Sequence, residues 1–111
     1  MKVYCLTLDL KDDPALIAEY KRYHEPGHIW PEVIENIKEQ SILREEIFLL
    51  GTRMVMVLHT TEDFSFEKKA FADRANSRMQ EWESLMWKYQ QPVAQAKPGE
   101  KWVLMEKIFE V

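Results

Sequence analysis

The 111-residue sequence predicts an α+β fold: a four-stranded antiparallel sheet with helices on one face, in the ferredoxin-like split βαβ arrangement. Three observations carry this expectation. Apolar residues alternate with period two over residues 2–10, and strand-like runs form a central hairpin and the C-terminal segment. Apolar residues recur with helical period in two intervening regions. The resulting order is β, α(α), β, β, α(α), β, with no internal repeat, so residues 1–111 are read as one domain.

Residues 2–10, KVYCLTLDL, set Tyr4, Leu6, Leu8 and Leu10 on one face and Val3, Cys5, Thr7 and Asp9 on the other, a strand pattern. Asp13 is placed to accept the first free N–H groups of a helix, and Pro14 suits its first position because it has no N–H to leave unpaired. Leu16, Ile17, Tyr20 and then Tyr23 or His24 form its stripe, and EPG (25–27) ends it. Pro31 opens a second helix, 31–40, with Val33, Ile34 and Ile37 as its apolar face and Trp30 as a hydrophobic staple. ILREEIFLL (42–50) and RMVMVLHT (53–60) read as strands joined at Gly51-Thr52, a tight hairpin signal. Phe64, Phe66, Phe71 and Ala72 mark helix from about 65 to 75. Asn76 and Ser77 interrupt it, and 78–90 resumes with Met79, Trp82, Leu85, Met86 and Tyr89 on one face. Residues 91–100 read as loop, and KWVLMEKIFEV as a final strand.

Composition narrows the functional classes. A net charge of −4, from 15 basic and 19 acidic residues, argues against a nucleic-acid partner, which needs a basic stripe. It gives no reason to expect an anionic membrane surface, and no run approaches the ~20 apolar residues of a membrane span. The lone Cys5 cannot form an intramolecular disulfide, and no start resembles a signal peptide, so a cytoplasmic protein is expected. With 12% aromatics on a short chain, and a second sheet face in need of a cover, a homodimer is expected.

Phosphate-binding glycine loops, Rossmann fingerprints and CxxC spacings are all absent, and no metal site is expected. What remains is EYKRYHEPGHIWPE (19–32). Tyr20 and His24 are i,i+4 on one helix, so they project from the same face. Imidazole is the usual general acid/base near neutrality, and a phenol can orient a hydroxylated ligand. A dipole-favoured histidine and a core tyrosine would look the same. His28 lies in the break between helices. Glu45 shares a strand face with Leu43 and Ile47, where a carboxylate would be costly without a partner or ligand, while Glu46 sits with Phe48 and Leu50. Trp82 and Trp87 are either core or flat platforms for sugar C–H faces.

Those residues carry a resemblance. An E-Y-x-R-x-H helix, then a proline, then I-W-P-E is similar to the signature of the L-rhamnose mutarotase family. IFLL, WESLMWKY and LMEKIF follow in the family's order, covering nearly the whole chain, in a style that resembles the L-fucose branch. The resemblance implies a dimeric α/β barrel that interconverts the anomers of a 6-deoxy-L-hexose, L-fucose or L-rhamnose, without a cofactor. It implies His24 as proton donor and Tyr20 as a sugar contact. A second sugar-contacting tyrosine falls on Glu45, and a tryptophan pair corresponds to Trp82 or Trp87. Gly27-His28 is an insertion relative to the pattern, which makes His28 a candidate to share the histidine's role. Ring opening then uses His24 as the acid, with Glu45 or a second histidine as its partner. Two other classes stay open: a cofactor-free or haem-dependent monooxygenase with His24 or His28 as axial ligand, and a non-catalytic ligand-binding module.

Overall fold

Strand β1 (Lys2–Leu10) follows the alternation residue by residue: Leu6, Leu8 and Leu10 are buried, whereas none of Val3, Cys5, Thr7 and Asp9 is. The computed structural model describes residues 1–111. Helix α1 (Pro14–Tyr23) starts where Asp13 accepts from the backbone N–H groups of Ala15 and Leu16 at 2.9 and 3.2 Å. It stops at His24, whose backbone leaves helical geometry (φ −99°, ψ 0°), and Gly27 then takes a positive φ of 85° that favours glycine. Helix α2 (Pro31–Glu39) follows, with Trp30 at its N-cap position and no side-chain capping bond. Strands β2 (Ile42–Leu50) and β3 (Arg53–Thr60) form the expected hairpin, with Leu50 opposite Arg53 across Gly51-Thr52.

Helix α3 (Phe66–Arg74) is capped by Ser65 and buries none of its residues. Phe71 is exposed, so its helical spacing does not mark a core face. Asn76 is the interruption the sequence suggests, accepting from the N–H groups of Arg78 and Met79 to start α4 (Ser77–Trp87).

Two expectations need correction. The helix expected to run to residue 90 ends at Trp87. Gln90 and Gln91, read as helix end and loop, form a short strand, β4, pairing antiparallel with Leu10 and Asp9. The bond from the Lys11 N–H to the Tyr89 carbonyl (2.8 Å) draws this segment onto β1. The C-terminal strand is also shorter than expected. Only β5 (Val103–Leu104) pairs with β1, extended by one bond from Met105 N–H to the Cys5 carbonyl. Beyond it Ile108 and Phe109 find no surface to pack on and are exposed.

The sheet runs β2-β3-β1, and β4 and β5 share the remaining edge of β1, all antiparallel. This is the split βαβ order, with the fourth place filled by two short strands instead of one. All four helices precede or follow the central hairpin, and the core lies between them and the sheet: Leu8, Leu10, Tyr20, Val33, Met54, Met79, Trp82, Met86 and Tyr89, continued by Leu6, Ile42, Leu58 and Phe64.

Strand β2 carries a bulge. Ile42 pairs with Thr60 but Arg44 with His59, which leaves Leu43 outside the ladder and exposed. Simple alternation places Leu43 with Glu45 and Ile47. The bulge instead brings Ile42, Glu45, Ile47 and Leu49 to the helix side and leaves Arg44, Glu46, Phe48 and Leu50 on the outer face.

Candidate functional site

A cavity of about 540 Å³ lies between the helices and the inner face of the sheet. It runs into a neighbouring hollow of about 400 Å³, and Tyr20, His24, Ile29, Ile37, Glu45 and Ile47 line both. Of the candidates named from sequence, Tyr20, His24, Glu45, Trp82 and Trp87 all line it. His28 does not. It sits on an exposed surface with Glu19, Arg22 and Tyr23, near the Arg22 carbonyl (3.2 Å) and the Glu25 carboxylate (3.5 Å).

The helix-ending geometry at residue 24 fixes the imidazole. Nδ1 lies 2.7 Å from the Tyr20 carbonyl oxygen. A carbonyl can only accept, so Nδ1 carries the proton and Nε2 is left with its lone pair. The ring stacks on Tyr20, centroids 4.4 Å apart, and meets Trp82 edge-on at 5.7 Å. Burial lowers the His24 pKa against the opposing pull of the Tyr20 carbonyl, so the neutral ring persists to lower pH than usual.

Glu45 is driven the other way. Burial raises its carboxyl pKa; Lys69 opposes this, and the nearby Glu83 and Asp73 add to it. Its pairing with the buried Leu58, beyond the bulge, sets it on this face beside Ile47. Tyr20 is buried, its hydroxyl accepts from Gln90 Nε2 at 3.3 Å, and burial pushes its pKa up to about 12, so it is a neutral hydrogen-bonding group.

The tryptophans divide by exposure. Trp82 is buried and packs against Tyr23, His24 and Trp30. Trp87 is partly open at the cavity edge, with Lys101 Nζ 4.7 Å from its ring centre and 2.9 Å from the Glu83 carboxylate. Trp30 packs on Trp82 under the Arg78 guanidinium (3.7 Å), which makes it a packing residue. No three histidine, cysteine or carboxylate side chains converge as a metal-binding group.

Several cavity residues escape the sequence reading. Asn36 stands on the inward face of α2, donating Nδ2 to Asp73 at 3.0 Å, and Asp73 in turn is paired with Lys69 at 2.6 Å. Gln90 arrives through β4. The i,i+4 spacing of Lys69 and Asp73 was a visible signal; nothing local marks Gln90.

Fold and cavity together define a small α+β protein with a half-apolar pocket that carries an imidazole, a carboxyl and a phenol. Residues 3–111 match the family model described as L-rhamnose mutarotase. The chain is 43% identical over 109 residues to the L-fucose mutarotase of Xanthomonas campestris pv. campestris, covering 98% of this chain and 87% of that protein. It is similar in fold to the crystal structure of L-rhamnose mutarotase from Formosa agariphila (TM-score 0.70, 15% identity, 100% and 99% of the two chains). Tetracenomycin F2 cyclase from Streptomyces glaucescens also shares the fold (TM-score 0.65, 16% identity, 100% and 97% covered). The chain belongs to the L-rhamnose mutarotase family. It is a sugar mutarotase, an isomerase, and the monooxygenase and non-catalytic readings are set aside.

Proposed function

We propose that this protein interconverts the α and β anomers of a 6-deoxy-L-hexose, with L-fucose preferred to L-rhamnose, by general acid/base opening of the hemiacetal ring. The sugar preference rests on the identity to the L-fucose mutarotase. The mechanism rests on one observation: His24, with a free Nε2, and Glu45 line the same cavity with pKa values moved in opposite directions. Neutral His24 takes the proton of the anomeric hydroxyl through Nε2. The C1–O5 bond breaks as Glu45 delivers its proton to the ring oxygen. After rotation about C1–C2 the roles reverse: the carboxylate recovers the O5 proton as O5 attacks the aldehyde, and His24 returns its proton to O1. His24 is therefore the base in opening and the acid in closing, which reverses the acid role in ring opening that the family resemblance implies for it. Tyr20 orients a sugar hydroxyl, Trp87 covers an apolar sugar face, and Trp82 holds the imidazole. His28 has no part in this reading, because it is on the surface away from the cavity.

The outer sheet face fits a second copy of the chain. Val3, Phe48 and Leu50 are exposed there beside Val55 and Val57, and the exposed Ile108 and Phe109 follow β5 at the sheet edge. A homodimer covers this apolar surface.

Magnetisation-exchange NMR between the two anomeric protons tests the reaction. Wild type accelerates exchange of L-fucose above its spontaneous rate, and His24→Ala loses that acceleration by roughly 10²-fold or more. Exchange by His24→Ala at the wild-type rate would sink the assignment.

A further inference from the structure

Two amide oxygens in the cavity wall have no partner in the protein: Asn36 Oδ1 and Gln90 Oε1. Both residues are almost wholly buried, at 3% and 4% exposure. A buried acceptor without a donor is costly, and groups of this kind are rare unless something binds them.

The orientation of Asn36 is set by its neighbours. Asp73 can only accept, so the amide must turn its NH₂ toward it, at 3.0 Å. The Lys69 ammonium, 2.6 Å from the other Asp73 oxygen, holds that carboxylate in place. Oδ1 is thereby pointed away from the Asn36–Asp73 bond and cannot be exchanged for NH₂ by a rotation of the amide. Gln90 is not fixed in this way: its amide meets the Tyr20 hydroxyl, which donates as well as accepts, so a turn of the amide pairs Oε1 instead.

We propose that Asn36 is a specificity-determining residue that accepts a hydrogen bond from one ring hydroxyl of the sugar, and that Asp73 is the positioning residue for Asn36. This rests on the mutarotase reading and extends it to substrate choice. A ligand with a hydroxyl donor at that position is accepted. A sugar lacking it leaves a buried oxygen unpaired and is rejected, a discrimination that apolar contacts such as Ile37 and Ile47 cannot supply.

The test is anomer exchange over L-fucose, L-rhamnose and the 2-, 3- and 4-deoxy analogues of L-fucose. Wild type is expected to lose roughly tenfold or more in kcat/KM on the deoxy sugar that Asn36 reads. Asn36→Leu, close in volume, is expected to raise KM for L-fucose with kcat changed much less. It should also abolish the penalty at that one deoxy position and leave the others intact. Asp73→Asn, which frees the Asn36 amide to rotate, should weaken the same penalty and serves if Asn36→Leu fails to fold. If Asn36→Leu discriminates among the deoxy sugars as wild type does, Asn36 accepts no sugar hydroxyl and the inference falls. If wild type accelerates none of the sugars, the mutarotase reading falls first.

Discussion

Glu45→Gln separates the two halves of the acid/base pair. The amide keeps the size of the side chain and its place beside Ile47 but cannot give up a proton in the reaction. In wild type, exchange requires neutral His24 and protonated Glu45 together, so its rate declines on both sides of an optimum. General acid catalysis contributes about 10²–10⁴-fold, or about 3–5.5 kcal/mol of barrier, and that is the expected loss in kcat. The remaining activity should depend on His24 alone. It rises with pH as the imidazole loses its proton, then levels off. Because burial lowers the His24 pKa, the midpoint falls below the ordinary histidine value of 6.5. Exchange NMR at saturating L-fucose, from about pH 5 to about pH 9, measures this directly. A loss of only a few-fold, or a residual rate that falls as pH rises, refutes the assignment of His24 as base and Glu45 as acid. Folding is checked in the same variant. A carboxyl whose pKa is raised in the folded state binds its proton more tightly there, so its contribution to stability is lost as pH rises from the unfolded pKa through the folded one. Glutamine does not titrate, so urea unfolding above that window should find the variant at least as stable as wild type.

Tyr20→Phe leaves Gln90 Nε2 buried without its acceptor and should cost about 1–3 kcal/mol in urea unfolding, with KM for the sugar rising more than kcat falls. Trp82→Ala removes a buried ring packed on Tyr23, His24 and Trp30, and a loss of about 3–5 kcal/mol is expected by thermal or urea unfolding. Val55→Lys places a charge opposite the exposed Phe48 on the outer sheet face, and sedimentation velocity should show a shift from dimer to monomer; an unchanged dimer would assign the interface to another surface.

What could be read in the sequence was what depends on near neighbours. The faces of β1, the Asp13 and Asn76 caps and the Gly51-Thr52 turn are settled within a few residues. Tyr20 and His24 were visible for the same reason, since one helical turn joins them. Gln90 was not, because its place comes from pairing with Leu10, eighty residues earlier in the chain, and from a contact with Tyr20. Asn36 was hidden in an apolar stripe, since its partner Asp73 belongs to another helix. The final strand is shorter than the sequence suggests because the apolar residues beyond Met105 have no surface in the same chain to receive them. Alternation sets Glu45 on one face with both Leu43 and Ile47, and only Ile47 shares that face, because a bulge is not written in alternation.

That bulge also bears on how this strand tolerates changes of length. Leu43 has no partner in the ladder, while Ile42 and Arg44 keep theirs on Thr60 and His59. Deleting Leu43 would leave both pairings standing and restore plain alternation from Ile42 onward, with Glu45 still turned inward. Deleting one residue between Glu46 and Leu50 would instead invert every side chain beyond it or force the turn to move. Position 43 is thus a slack link in an otherwise rigid register, where a codon can be lost without moving the carboxylate out of the cavity.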